Sequence, residues 1–153
     1  MMTKGVSCKA MSKINKEQVA SLFKAYPFIL AAYQFGSTVR GQEGPLSDLD
    51  IAILVDDKRS SSALDLLRIE LMLAYELQKQ LGISEIDLIT LNSQRLLLQH
   101  GILRTGQLIY EADPKYRARF AQKVIQAYLD FQPTLELIGQ FHTRGRLRRC
   151  GIQ

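Results

Sequence analysis

Two aspartates separated by one residue are the first feature of the sequence that could carry chemistry. Asp48 and Asp50 flank Leu49, at the start of an apolar run that ends at Val55. Residues two apart on a strand point to the same face, so we expect these carboxylates side by side. Hard divalent cations take carboxylate oxygens as ligands, and two Mg²⁺ ions about 4 Å apart can bridge the phosphates of a nucleotide. The Asp-x-Asp spacing therefore predicts a magnesium-dependent phosphate chemistry.

A Gly-Ser pair lies ten residues before the two aspartates. Gly36 and Ser37 end an apolar run, where a strand gives way to a turn and free backbone N–H groups can bind phosphate. Glycine lets the backbone approach the ligand, and the Ser37 hydroxyl adds a donor. Arg40 can neutralise charge on a triphosphate or on the departing pyrophosphate. Ser47, directly before Asp48, completes the predicted nucleotide-binding set.

A third carboxylate, Asp87, lies in the alternating run Glu85–Leu91. If this strand lies beside Leu49–Val55, Asp87 projects toward the same face and serves as a third metal ligand and as a general base. The acceptor would be a hydroxyl, which holds its proton too tightly near pH 7 for unaided attack. Taken singly, these features also suit a turn, a strand start and a surface charge. Their order as strand, turn, strand, helix and strand favours the catalytic interpretation.

Hydrophobic periodicity predicts the elements that must position these residues. Short apolar or alternating runs predict strands, and apolar residues at spacings of three and four predict helices. The predicted strands are Phe28–Phe35, Leu49–Val55, Glu85–Leu91 and a short edge strand over Gln107–Tyr110. The predicted helices run from the N-cap Asn15 to before Pro27, from a cap within Ser60–Ser62 to Gly82, over Ser93–Leu103, and from Asp113 and Pro114 onward.

Two of these helices carry apolar stripes that we expect to face the core. Pro133 is expected to kink or interrupt the last helix, because proline removes a backbone donor. On the helix that ends at Gly82 the stripe is Leu64, Leu67, Leu71, Ala74, Leu77 and Leu81. On the last helix it is Phe120, Val124, Ala127 and Phe131, and the apolar residues Leu135, Ile138 and Phe141 follow beyond the proline.

Length and composition indicate one globular domain. The 153 residues are 46% hydrophobic, which is enough for a single core, and we expect one domain over residues 1–153. The first sixteen residues lack the apolar region of a signal peptide, and charged residues break every apolar run before about 18 residues. We therefore expect a soluble, cytoplasmic protein. Cys8 and Cys150 form no metal-ligand spacing, and His100 suits a structural position on a helix.

The positive charge belongs to the C-terminal quarter of the chain. Residues 1–113 carry 12 basic and 13 acidic residues, whereas residues 114–153 carry 8 basic and 2 acidic residues. Such a segment can bind an acidic partner or nucleic acid, although a basic helix end is also simply solvated. We expect a partner-binding role for residues 133–153 and a disordered extension over residues 1–10. Direct nucleic-acid binding is the less favoured alternative.

Three segments together resemble a known group of enzymes. The stretches GSTVRG, SDLDIAILV and EIDLITL are similar to motifs of the DNA polymerase beta-type nucleotidyltransferase superfamily, in particular its minimal nucleotidyltransferase branch. The resemblance extends from Pro27 to Asp113. It implies an α/β (α+β) fold, a mixed sheet with helices mainly on one face. It also implies two Mg²⁺ ions held by Asp48, Asp50 and Asp87, with ATP as the usual donor.

The resemblance also implies a biological role. Minimal members lack the second domain that binds the acceptor in larger relatives, and many act as antitoxins of HEPN-type ribonuclease toxins. They silence the toxin by adding AMP to a tyrosine. We therefore expect a HEPN-type toxin as the partner and protein adenylylation as the activity. Two alternatives stay open: nucleotidylation of a small-molecule hydroxyl, and a non-catalytic antitoxin that acts by binding alone.

Overall fold

The computed structural model describes residues 15–36 and 49–149, which form a mixed sheet with packed helices. The fold class predicted from the sequence is confirmed, and strand β2 has the predicted bounds. None of the described helices is long and apolar enough to cross a membrane. In chain order the elements are α1 (Lys16–Lys24), β1 (Ile29–Phe35), β2 (Leu49–Val55), α2 (Asp57–Ser60), α3 (Ala63–Leu81), β3 (Ile86–Thr90), a 3-10 turn (Leu91–Ser93), α4 (Leu96–Thr105), β4 (Gln107–Glu111) and α5 (Pro114–Arg149).

The strand order in the sheet is β3-β2-β1-β4. Strand β1 runs antiparallel to both of its neighbours, β2 and β4, while β2 and β3 run parallel. A parallel pair needs a crossover connection, and helix α3 supplies it over 19 residues. Because β2 and β3 run in the same direction, their first residues meet at one edge of the sheet. The last residues of β1 reach that same edge.

The larger core lies between the sheet and helices α1 and α3. Alternate residues of β2 and β3 face it, as the two-residue period of a strand requires, and Ile29 and Ala32 of β1 and Ile109 of β4 join them. Helix α1 begins at the predicted cap, where the Asn15 side chain accepts hydrogen bonds from the backbone N–H groups of Glu17 and Gln18. The buried members from the helices are Val19, Leu22 and Phe23 of α1 and Leu66, Ile69, Leu73 and Leu77 of α3.

A second, smaller core covers the other face of the sheet. Ala52 and Leu54 of β2 pack there with Ile102 of α4, and Tyr116 and Phe120 of α5 close over it. The predicted layer of helices on one face corresponds to α1 and α3, which cover the larger core. Helices α4 and α5 form a second layer on the opposite face, which is the face that also carries Asp50.

The predicted apolar stripe of α3 is partly wrong. Leu64, Leu67 and Leu71 are 58%, 50% and 64% exposed, and the buried set is Leu66, Ile69, Leu73 and Leu77. Both sets have helical spacing, so periodicity alone did not choose the buried face. Polar contacts settle it, because the Glu70 carboxylate accepts a 2.7 Å hydrogen bond from the backbone N–H of Thr90 at the end of β3.

Helix α5 continues through Pro133, so of the predicted kink or interruption the interruption does not occur. A proline removes one hydrogen bond of the helix ladder, and the bonds on either side remain. The buried stripe also differs from the predicted one, because Ala127 and Phe131 are exposed while Val124 is buried. Tyr128 instead stacks on His100 of α4, with ring centroids 3.6 Å apart, which confirms a structural position for this histidine.

Candidate active site

Two of the three predicted catalytic carboxylates lie at paired positions of neighbouring strands. Asp50 of β2 is the register partner of Asp87 of β3, and neighbouring strands lie about 4.8 Å apart. Asp50 lies two residues before Ala52 and Asp87 two residues before Ile89, and both of these contact the smaller core, so the aspartates share one face of the sheet. The predicted adjacency of the second and third strands is confirmed. The catalytic roles of the aspartates remain a prediction.

Gly36 closes the site on the side of β1. Its preceding residue, Phe35, is the register partner of Asp50, and the chain leaves the strand at Gly36 with a φ of 85°. L side chains rarely adopt this left-handed conformation. A Cβ atom on Gly36 would also overlap Asp50 Oδ2 and lie 3.1 Å from Asp50 Cγ. The backbone of Gly36 therefore packs directly against the carboxylate of Asp50.

An apolar floor supports the carboxylates. Phe35, Ile89 and Leu108 are partly buried and pack against the smaller core on the face that carries Asp50 and Asp87. Asp50 is half-buried and Asp87 is exposed, so the site opens to solvent on the side of β3. In the sequence, Phe35 is marked only as the end of an apolar strand. Its place directly before the predicted phosphate-binding turn is the signal that could have identified it as part of the site.

The other predicted site residues are Ser37, Arg40, Ser47 and Asp48, and they lie outside the described residues. The predicted contacts of this segment with a triphosphate therefore stay predictions. Gly36 directly precedes this segment and Leu49 directly follows it, and Gly36 contacts Asp50. The described residues on both sides of the segment thus lie at the edge of the sheet where Asp87 also lies.

The described carboxylates offer the type of ligand that Mg²⁺ requires. Asp50 and Asp87 offer hard carboxylate oxygens from adjacent strands, and oxygen ligands of this type suit Mg²⁺. No cluster of three or more His, Cys, Asp or Glu occurs in residues 15–36 and 49–149. The third predicted ligand, Asp48, falls in the gap between these ranges. Two carboxylates held next to each other repel, and a divalent cation between them removes that repulsion, so the pair fits the predicted metal.

A family comparison agrees with this arrangement. Residues 17–115 match the family described as "Polymerase beta, Nucleotidyltransferase". The chain belongs to this family. The match spans the strands that carry Gly36, Asp50 and Asp87, and it covers well over half of the chain. The protein is a nucleotidyltransferase of the polymerase beta type, as the three sequence motifs predicted.

A similar protein occurs in Methanocaldococcus jannaschii. It is provisionally named protein adenylyltransferase MJ0435, and it is 42% identical over 69 residues. The similar segment covers 45% of this chain and 67% of the relative.

Solved structures with the same fold come from toxin-antitoxin complexes. A crystal structure of a toxin-antitoxin with AMP-PNP contains a chain that is 25% identical, with a TM-score of 0.68, over 85% of this polymerase beta-type chain and 99% of that chain. A complex of tri-AMPylated HEPN toxin with MNT antitoxin from Shewanella oneidensis gives a TM-score of 0.63 at 24% identity, over 87% and 99% of the two chains. The similarity to the Shewanella oneidensis complex shows that this chain has the same fold.

Proposed function

We propose that this nucleotidyltransferase transfers AMP from ATP to a tyrosine hydroxyl of a HEPN-type ribonuclease toxin and thereby acts as its antitoxin. The observation that carries the proposal is the pairing of Asp50 with Asp87 beside the left-handed Gly36. The class of reaction, nucleotidyl transfer, follows from the family. The donor and the partner are suggested by the AMP-PNP complex, the AMPylated HEPN toxin complex and the name of the archaeal relative.

The residues of the proposed site fall into a phosphate-binding group and a metal-binding group. Backbone N–H groups at Gly36 and Ser37 bind the triphosphate, while Arg40 and Ser47 contact its phosphate oxygens. Asp48, Asp50 and Asp87 would hold Mg²⁺, which would supply positive charge to offset the charge of the reacting phosphates. Because Gly36 packs closely on Asp50, the start of the proposed phosphate-binding turn lies next to the carboxylates.

The proposed reaction forms one phosphorus–oxygen bond and breaks another. The tyrosine oxygen attacks the α-phosphorus of ATP, the bond from that phosphorus to the bridging oxygen breaks, and pyrophosphate leaves. The proton of the tyrosine hydroxyl passes to a carboxylate oxygen of Asp87. Asp87 suits this task because it is exposed at the open side of the site, where an acceptor side chain can approach.

The far end of α5 supports a protein acceptor. A 36-residue helix is about 54 Å long, and its second half extends beyond the buried contact at Val124. Leu137, Ile138 and Phe141 are 52%, 44% and 63% exposed there. The sequence places four arginines between residues 144 and 149 in the same helix. Apolar side chains next to basic ones suit a partner surface that is attracted by charge and held by apolar burial.

The test of the proposal is transfer of AMP to a purified HEPN-type toxin in the presence of ATP and Mg²⁺. Mass spectrometry of the toxin should detect AMP on a tyrosine. Asp50→Asn should reduce transfer by about 100-fold or more, because it removes a carboxylate ligand. Asp87→Asn should lower turnover by a similar factor and leave ATP affinity nearly unchanged, because a general base contributes mainly in the transition state.

Asp130→Asn is the matched control, because Asp130 is an exposed carboxylate on α5, outside the strands that carry the paired aspartates. It should transfer AMP at the wild-type rate. Full transfer by both site variants would contradict the proposed chemistry. Equal protection from the toxin by wild type and by both inactive variants would favour an antitoxin that acts by binding alone. AMP found on a small molecule and never on the toxin would contradict the protein acceptor.

A further inference from the structure

A cavity of about 350 Å³ lies at the end of the sheet opposite the paired aspartates. Strand β2 begins next to Asp50 and ends at Val55, about 17 Å further along at 3.3 Å per residue, and Asp57 follows two residues later. We call this space the distal cavity, and a ligand there would not compete with a nucleotide at Asp50. Its lining residues are Asp57, Asn92, Tyr116, Arg119, Phe120 and Lys123.

One wall of the distal cavity is held in place by hydrogen bonds. The Asn92 side chain accepts a 2.9 Å bond from the backbone N–H of Val55 and donates a 3.0 Å bond to its carbonyl oxygen. The Tyr116 hydroxyl donates a 2.6 Å bond to Asp57 Oδ1. Burial and this bond to Asp57 raise the pKa of Tyr116 to about 12, so the phenol stays protonated at neutral pH. This wall is therefore preorganised.

The other wall is basic. Arg119 and Lys123 lie one turn apart on α5 and are exposed at the mouth of the cavity. Within residues 15–36 and 49–149 neither forms an ion pair, whereas Arg117 on the same helix pairs with Glu111. Like charges four residues apart repel along a helix, and a bound anion removes that repulsion. Two cations and the carboxylate of Asp57 line the cavity, and Asp56 also acts on Tyr116 from nearby, so the positive charge is confined to the wall formed by Arg119 and Lys123.

We propose that the distal cavity binds a small organic anion that has a phosphate monoester or carboxylate group and a flat ring. The guanidinium of Arg119 can donate two parallel hydrogen bonds to such a group, and Lys123 adds a second cation. The ring packs against Phe120, whose side chain lines the cavity next to Tyr116. The volume lies at the small end of ligand sites, which suits a molecule of one ring and one anionic group.

Side-chain NMR titrations of the full-length protein test this proposal with four probes: phenyl phosphate, benzoate, inorganic phosphate and phenol. Phenyl phosphate or benzoate should shift the signals of Phe120, Tyr116 and Arg119 saturably, and the tighter of the two identifies the anionic group. Inorganic phosphate and phenol should each bind at least ten-fold more weakly, because each lacks half of the recognised chemistry.

Variants separate the distal cavity from general charge. Arg119→Ala and Lys123→Ala should each weaken binding about ten-fold, and both residues are exposed, so the fold should persist. Lys115→Ala is the matched control, since Lys115 is an exposed cation of α5 that does not line the cavity. It should leave the affinity unchanged. Asp87→Asn should also bind the probe normally, whatever becomes of the proposed AMP transfer.

Three results would overturn the proposal. Equal losses in the Lys115 and Arg119 variants would mean adventitious anion binding only. Inorganic phosphate binding as tightly as phenyl phosphate, with no shift of Phe120, would mean the same. Binding of a single-stranded oligonucleotide in the absence of any probe binding would assign the basic wall to nucleic acid.

Discussion

Gly36 and Gly82 show at the scale of single residues how one backbone conformation serves two purposes. Both have a positive φ, of 85° and 65°. Gly82 ends helix α3 as a C-cap, and a Cβ atom there would meet nothing within 4 Å. A Cβ atom on Gly36 would instead overlap the Asp50 carboxylate. Gly82 is required by backbone geometry alone, whereas Gly36 is also required by the site.

Alanine substitutions at these two glycines should therefore separate stability from activity. Gly82→Ala should lower the free energy of unfolding by roughly 1–2 kcal/mol, the usual cost of a left-handed L residue, and leave AMP transfer intact. Gly36→Ala should incur at least that cost and should also reduce transfer strongly, because Asp50 must move. Urea unfolding and transfer assays on both variants provide the measurements. Comparable activity in the two variants would contradict the proposed contact between Gly36 and the reacting centre.

The residue scale also shows what the sequence could predict of the site. Asp50 and Asp87 were expected to be neighbours because each begins an apolar strand, and the parallel register places them opposite each other. The contact between Gly36 and Asp50 could not be predicted, because it depends on the antiparallel pairing of β1 with β2. Tyr116 and Asp57 are 59 positions apart, and the pattern of neither residue indicates the other.

At the scale of elements, strands were easier to predict than helix faces. Strand β2 has its predicted bounds, because a short apolar run between polar loops leaves few alternatives. Helix α3 was predicted at the right place, but only part of its predicted stripe is buried: Leu77 is, whereas Leu64, Leu67 and Leu71 are exposed. Its apolar residues surround most of the helix, so two stripes fit the same period, and the choice between them depends on tertiary contacts such as Glu70 to Thr90.

Two leucines on α3 provide a direct test of the observed face. Leu73 is 0% exposed and Leu71 is 64% exposed, and the two lie on the same helix with the same side chain. Leu73→Ala should lower the free energy of unfolding by about 2–5 kcal/mol, because it leaves a cavity in the larger core. Leu71→Ala should change it by no more than about 0.5 kcal/mol. Urea denaturation followed by circular dichroism would measure both. The reverse order of effects would mean that α3 packs through its predicted stripe.

For the whole molecule, the sheet separates two regions of different chemistry. The edge at Asp50 and Asp87 carries the proposed transfer site, and the opposite end carries the distal cavity. The first turns of helix α5 cover the smaller core, and its later turns are exposed to solvent. The sequence predicted the basic, apolar character of the far end. It did not predict a continuous helix, since a proline usually ends one.

The exposed end of α5 should control how fast a toxin binds and how long it stays. Truncation before Arg144 removes the four arginines and should slow association about ten-fold at low salt, with little effect at high salt, because charge acts mainly on encounter. Ile138→Ala and Phe141→Ala should each speed dissociation about ten-fold, because buried apolar side chains hold a complex together. Leu71→Ala is the matched control, being an equally exposed apolar side chain on α3. Stopped-flow and surface-binding measurements with a HEPN-type toxin would separate the two rates. Unchanged rates in all three α5 variants, with AMP transfer intact, would place the toxin interface elsewhere on the molecule.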